Sequence, residues 1–254
     1  MTRAGETLAE RSTSQTVRAL LAIREWILEG ELLPGERISE LTMVERIGLS
    51  RTPIRAALIR LEEEGLLEAI PSGGYAVRAF TEKEVFEAIE IRGLLEGMSA
   101  RIAAEKGVAP ARLKPIRACL AEIDALIAGD RLPGDGFSDY VPLNARFHAL
   151  LHGLAESSVL GRQMERATAI PFASPSAFVM AQSQLTEARV ILTVAQEQHR
   201  AVIDAIENRE GARAESLMRE HAKLAIRNLR LALESRSAFE MIRGASLIRP
   251  RVPG

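Results

Sequence analysis

Apolar positions in the first eighty residues fall at two different spacings. From Gln15 to Glu29, Val17, Leu20, Leu21, Ile23, Trp26, Ile27 and Leu28 recur every three or four residues, a broad stripe that predicts a helix. Gly30 stops it, and LLPGERI, punctuated by Pro34-Gly35, reads as a turn. Ser39 caps a short helix running to Arg46, which Gly48 ends by tolerating a positive φ. Ser50 then caps a further helix with Pro53 in its first turn, where a missing N–H costs nothing. Ile54, Ala57, Leu58 and Leu61 form its buried face and Gly65 closes it. LLEAI and YAV then read as two short strands around the tight turn PSGG.

Beyond Thr81 the period becomes purely helical. TEKEVFEAIEIRGLLEGMSARIAAEKG is one long helix, with Thr81 and Glu84 as a capping box. Further stripes predict helices over about 110–129, 139–156, 158–169, 184–208 and 211–235, with RLPGDGFSD and IPFASPSAF as loops. Residues 1–13 are polar and expected to be disordered; 236–254 carry four arginines and no stripe, and read as a flexible tail. The expected architecture is mainly α: a winged helix-turn-helix domain over 14–80, made of three helices plus a β-hairpin, then an all-α bundle of about six helices over 81–235.

Composition narrows this further. With 47% hydrophobic but only 4% aromatic residues, the core of this 254-residue chain must be aliphatic. The formal net charge of -1 gives no global attraction to nucleic acid or membrane. Cys119 is the one cysteine, so no intrachain disulfide forms and a reducing compartment fits. No signal-peptide run or membrane-length apolar stretch occurs, which points to a cytoplasmic protein without a membrane partner.

Charge is distributed unevenly, however. Residues 48–60, GLSRTPIRAALIR, hold no carboxylate, and Arg51 and Arg55, four apart, project from one helix face. From Arg46 to Arg60 there are four arginines and no acid, while the rest of 1–80 holds six arginines against twelve acids. A basic surface confined to one element suits a helix that reads a DNA groove, where guanidinium groups meet phosphates or guanine edges. A merely solvated helix face is the alternative, and it leaves the glycine turn, the cap and the hairpin unexplained. The segment IREWILEGELLPGERISELTMVERIGLSRTPIRAALIRLEEEGLL resembles the DNA-binding domain of GntR-family transcription regulators, a likeness extending from Ile23 to Val77. The resemblance implies a double-stranded DNA operator touched by Arg51, Thr52 and Arg55, with Ser50 at the head of the helix. It also implies a wing tip, Ser72, Gly73 and Gly74, approaching the minor groove. Many relatives have a basic residue where this chain has Gly73, so wing contacts are expected through backbone N–H groups; Ala56 replaces an acid common in the family.

All four histidines lie in the C-terminal half. His148 shares a helix face with Asn144, His199 falls on the stripe Ala195, Val202, Ile206, and His221 on the stripe Leu217, Leu224, Asn228. One inward histidine is ordinarily a satisfied core residue. Three on three helices need partners for every nitrogen, and one divalent metal, Zn²⁺ or Ni²⁺ by its liking for imidazole, serves all three. His152, one turn beyond His148, lies too far along its helix. The second domain resembles the FCD/VanR-type effector domain of the FadR subfamily, whose Asp-x-x-x-His pair joins two later histidines around a metal; LNARFH, EQHRAVIDAIENRE and MREHAKLAIRNL carry the likeness. Asn144 stands where many relatives have Asp, a weaker, uncharged ligand. The resemblance further implies a small organic acid effector, a homodimer, and repression relieved by the effector. A doubly charged metal with no ligand carboxylate favours an anionic effector, and Arg92 can contact it bidentately or instead form a surface salt bridge with Glu96. IPFASPSAF covers the pocket or is a plain connector. A metal-dependent hydrolase of the three-histidine type is the competing function; it needs an acid or base beside a metal-bound water, and no carboxylate stands in helical register with the histidines.

Overall fold

The computed structural model describes residues 8–129, 132, 136–183, 185 and 187–249, with side chains from Thr13 onward. The chain divides into two compact units, Met1–Glu82 with Arg243–Gly254, and Lys83–Ile242.

In the first unit, α1 (Leu8–Leu28) starts inside the stretch expected to be disordered. LAERSTSQT is polar but free of Gly and Pro, so the helix propagates ahead of its apolar stripe; residues 1–7 of that expectation lie outside the described residues. After β1 (Arg37–Ile38) come α2 (Glu40–Ile47) and α3 (Arg51–Glu63). Ile23 and Ile27 of α1 and Ile54, Leu58 and Leu61 of α3 are fully buried where the two helices pack, each side chain contributing about 1.5–3 kcal/mol. Val17 and Leu21 stay exposed, so the buried stripe is narrower than the periodicity suggests. Ser39 Oγ accepts the Thr42 N–H at 3.1 Å, and Gly48, at φ 73°, closes α2 by donating its N–H to Val44 O at 2.9 Å. Ser50 occupies the cap position of α3 but makes no capping hydrogen bond. The third helical residue is Pro53, which has no N–H to give it.

The hairpin is β2 (Leu67–Ala69) antiparallel to β3 (Tyr75–Val77), registered Leu67↔Val77 and Ala69↔Tyr75. Gly73 and Gly74 turn it at φ 86° and 89°. β1, read from sequence as part of a turn, pairs with β3 to give the order β1-β3-β2. Two residues are too few for alternation to show. The expected flexible tail is also corrected: β5 (Ile248–Arg249) runs parallel to β4 (Phe80–Thr81), Leu247 and Ile248 are buried, the Gly244 N–H reaches Leu28 O, and Arg243 pairs with Glu25. Irregularly spaced apolar residues, invisible to a periodicity test, anchor it; residues 250–254 lie outside the described residues.

The second unit is all α. Its elements are α4 (Glu82–Lys106), α5 (Pro110–Ala128), α6 (Gly136–Gly153), α7 (Ser158–Ala167), α8 (Val179–Gln182), α9 (Ala188–Glu207), α10 (Gly211–Leu233) and α11 (Arg236–Glu240). Two short helices, α8 and α11, therefore join the six long ones expected, and α11 lies in the segment expected to be a tail. IPFASPSAF is a packed connection in which a 3-10 turn, Pro171–Ala173, buries Phe172, with Phe178 buried behind it. Residues 131 and 133–135 of RLPGDGFSD lie outside the described residues, and its Gly136–Asp139 already belongs to α6. Along α4 the buried positions Val85, Ile89, Arg92, Glu96, Ser99 and Ala103 recur every three or four residues. A Cβ at Gly93 would lie 2.6 Å from the Ala222 side chain, so only glycine allows α4 and α10 this close. Cys119 is buried and unpaired by any disulfide.

Candidate functional site

α3 turns Pro53, Ile54, Ala57 and Leu58 inward and leaves Arg51, Thr52 and Arg55 exposed. The four-arginine count overstated the free basic surface. Arg46 stacks over Trp26, 3.7 Å from the ring centre, and pairs with Glu31; Arg60 pairs with Glu64 at 3.2 Å. Arg55 is held only loosely, its Nε 3.6 Å from Glu40 Oε1 with 69% of its side chain exposed. Such a pair is worth about 0–1 kcal/mol and is readily exchanged for a phosphate. A groove of about 490 Å³ opens between α3 and the hairpin, lined among others by Arg37, Glu40, Arg55, Gly73 and Tyr75. Burial, with help from Glu62 and Glu40, pushes the Tyr75 phenol up, so it stays a neutral hydroxyl.

Arg37 was missed by sequence reasoning. Its guanidinium donates to Gly73 O at 2.8 Å and Ser72 O at 3.4 Å, placing a cation beside the wing tip from the neighbouring strand. The Gly73 N–H, expected to face DNA, is instead donated to Ile70 O at 2.9 Å. Tip charge therefore comes from β1 rather than from the turn itself. The unrecognised strand is why sequence could not place it.

In the second unit, α6, α9 and α10 bring His148, His199 and His221 together, one ligand atom of each lying within 4.8 Å of the others. Every Nδ1 has an oxygen partner: His148 meets Glu96 Oε1 at 2.7 Å, His199 meets Gln196 Oε1 at 3.2 Å, and His221 meets Gln198 Oε1 at 3.0 Å. Carboxylate and amide oxygens can only accept here, so each Nδ1 carries a proton and each Nε2 is the ring atom left to face the others. His199 Nε2 and His221 Nε2 face each other at 3.1 Å, and His148 Nε2 is buried without a partner. Burial, then the neighbouring imidazoles, holds His199 well below its usual range; burial and His148 bring His221 down to about 3. No proton is thus available near neutral pH to bridge the two lone pairs. Three converging Nε2 atoms, each on a ring whose Nδ1–H is held by an accepting oxygen, fit a divalent cation.

A carboxylate does stand beside the histidines, contrary to the sequence expectation. Glu96 is buried on α4, bonded to His148 and, at 3.2 Å, to the buried Arg92. Burial raises its pKa, but Arg92 and His148 more than offset this and bring it down to about 2. The Arg92–Glu96 bridge is therefore interior, not on the surface. The signal was present in sequence, since Arg92 and Glu96 sit on the apolar stripe of α4. Glu96 lies behind His148, on the Nδ1 side, and is held ionised by Arg92, which makes it a poor base for a water on the Nε2 side. Asn144 donates to Ser176 Oγ at 3.0 Å and Pro175 O at 3.3 Å while Oδ1 accepts from Tyr140 at 3.2 Å. His152 turns aside to Ser99 Oγ at 2.8 Å. Arg92, Tyr140, Asn144, Gln182, His221 and Asn228 line one small cavity together with apolar side chains.

Comparison with known proteins agrees with this division of the chain. Residues 13–77 match the family described as bacterial regulatory proteins, gntR family, and residues 87–224 match the FCD domain. The HTH-type transcriptional regulator YdhC of Bacillus subtilis (strain 168) is 30% identical over 143 residues, 56% of this chain and 62% of its own length. The Nta operon transcriptional regulator of Aminobacter aminovorans is 32% identical over 50% of this chain and 57% of its own length. The chain thus spans about three fifths of these two relatives. A probable D-xylose utilization operon transcriptional repressor of Paenarthrobacter nicotinovorans is 28% identical over 84% of this chain and 88% of its own. Among solved structures, E. coli McbR/YncC shares the fold with a TM-score of 0.56 at 19% identity, covering 85% of this chain and 98% of that one. No helix among the described residues is long and apolar enough to cross a membrane. The family and these relatives are regulators of transcription rather than enzymes, and this chain belongs to the GntR family of bacterial regulatory proteins, with an FCD domain as its helical half.

Proposed function

We propose that the protein is a cytoplasmic transcription repressor that binds a two-fold operator as a homodimer and releases it when a small carboxylate occupies the helical domain. The observation that carries this reading is α3: Arg51, Thr52 and Arg55 exposed on one face, flanked by a hairpin with Arg37 at its tip. Arg51 and Arg55 reach base edges or phosphates in the major groove, Ser50 and Thr52 position the helix start, and Ser72, Gly73 and Gly74 approach the adjacent minor groove with Arg37 supplying the charge. Dimerisation uses a self-complementary face; Ile91, Leu94 and Met98, about half exposed on one side of α4, are the candidate apolar centre.

His148, His199 and His221 would hold a Zn²⁺ or Ni²⁺ ion through Nε2, with Asn144 Oδ1 as a weaker oxygen ligand retaining one free lone pair. When bound, the ion supplies a positive centre that attracts and orients an effector carboxylate, and Arg92 adds a second. Effector binding then shifts the population between DNA-competent and DNA-incompetent forms of the dimer. The hydrolase reading has no support, because the carboxylate near the histidines is already engaged by Arg92 and His148. The test is selection of duplexes from a random-sequence library by the purified chain. Enrichment of a two-fold repeated half-site is expected, and a bound pool without sequence preference overturns the reading.

A further inference from the structure

α3 offers a DNA groove more than cations. Arg51 and Arg55 share one strip of the helix, and Thr52, Ala56 and Ile59, spaced four and three apart, form a second strip beside it. All five residues are exposed, while Ile54, Ala57, Leu58 and Leu61 fill the core from the other side. The second strip is aliphatic: Thr52 carries the methyl Cγ2, Ala56 the methyl Cβ, and Ile59, 39% exposed, a branched alkyl group. Local folding gives no reason for Ile59, because β-branching weakens a helix and an exposed side chain recovers little of that loss by burial. Ile59 also lines the groove between α3 and the hairpin with Arg37, Arg55 and Tyr75, so the aliphatic strip runs along the same surface as the cations.

Each base pair shows a distinct edge in the major groove. Guanine offers acceptors to arginine, cytosine offers N4 hydrogens that suit a carboxylate, and thymine carries a methyl group. From Arg51 to Arg60, α3 contains no carboxylate and no side-chain amide. Cytosine therefore meets no carboxylate on this helix face, whereas thymine meets exposed methyl groups beside the two arginines. Resting on the reading of α3 above, we infer that Thr52 and Ala56 determine operator specificity by packing Cγ2 and Cβ against thymine methyl groups. A·T pairs are thereby selected next to the G·C pairs that Arg51 and Arg55 take. The Thr52 hydroxyl keeps its place at the helix start, and only its methyl meets the base.

Uracil tests this, since it pairs as thymine does and lacks only the methyl. The duplex selected by the full-length chain is remade with a single deoxyuridine at each thymine in turn, and affinities are read by fluorescence anisotropy at one fixed salt concentration. At one or more thymines of the half-site, binding is expected to weaken about fourfold, the weight of one buried CH₂ at ~0.8 kcal/mol. Thr52→Ser removes Cγ2 and keeps the hydroxyl, and Ala56→Gly removes Cβ. In at least one of these variants a penalty seen with the wild type is expected to vanish, thymine and uracil duplexes binding equally. A wild-type scan with no loss above about twofold overturns the inference and leaves a DNA-reading α3 standing. So do penalties that persist in both variants, since an effect of the methyl on DNA shape behaves in that way. Selection that enriches no sequence removes that reading of α3, and the inference with it. Should Ala56→Gly not fold, Thr52→Ser decides by the same two results.

Discussion

Glu96 is the residue on which the interior of the helical unit depends most. Its carboxylate is shared by Arg92 at 3.2 Å and His148 at 2.7 Å, and the Arg92 and Glu96 side chains are only 2% and 3% exposed. Changing Glu96→Met leaves a guanidinium buried with no counter-charge, a loss of about 3–5 kcal/mol. That is a large part of the ~5–15 kcal/mol by which a domain is stable. Arg92→Met does comparable harm by leaving the carboxylate with His148 alone. Making both changes removes the two charges together and substitutes side chains of similar length, which is close to neutral for many buried pairs. The double variant should therefore be more stable than either single one, with a coupling energy of about 6 kcal/mol or more, because two losses of about 3–5 kcal/mol each give way to a nearly neutral change. Urea unfolding of the four proteins, followed by circular dichroism in a chelator so that no metal contributes, measures it. Single losses that add to the double loss within about 0.5 kcal/mol would refute the reasoning, because residues that do not interact behave in that way.

Elemental analysis should find Zn or Ni in the wild-type protein and none in His148→Ala/His199→Ala; equal content in both removes the metal centre from the account. Without metal, stability should fall as the pH drops from about 6.5 toward 3. An unfolded His221 takes up a proton near 6.5 and the folded one only near 3, so acid favours unfolding by up to about 1.4 kcal/mol per pH unit per group. His199, also lowered, adds to this, and Glu96, at about 2 when folded against 4.5, extends the loss below pH 4.5. Urea midpoints that stay flat or rise on acidification would contradict these assignments. Deleting residues 243–254 removes the buried Leu247 and Ile248 and the β4–β5 pairing. It should destabilise the first unit by about 3–6 kcal/mol, read as faster amide exchange in α1 and α3; unchanged exchange there would show the tail to be dispensable.

Long-range order was legible in the sequence wherever a stripe was long. The helices, the Ser39 and Gly48 caps of α2, and the inward turn of three histidines all follow from spacing, because burial imposes that spacing. Partners were not legible. Counting arginines gave four free cations, where contacts with Trp26, Glu31 and Glu64 occupy two of them. Glu96 was read as a surface partner because charged residues are usually exposed, although its place between Ile89 and Ala103 on the α4 stripe pointed inward. The third strand and the packed tail are too short or irregular to carry any period, and Arg37 came into place only with the strand that holds it.

Recognition by α3 is tested most directly by the affinity of the chain for its own selected duplex. Fluorescence anisotropy at one fixed salt concentration compares the wild type with Arg51→Ala and Arg55→Ala. Each variant is expected to lose about 1–3 kcal/mol of binding, roughly five- to 150-fold, with an unaltered thermal unfolding curve. Affinities equal to that of the wild type in both variants would contradict a groove-reading α3 and the function built on it.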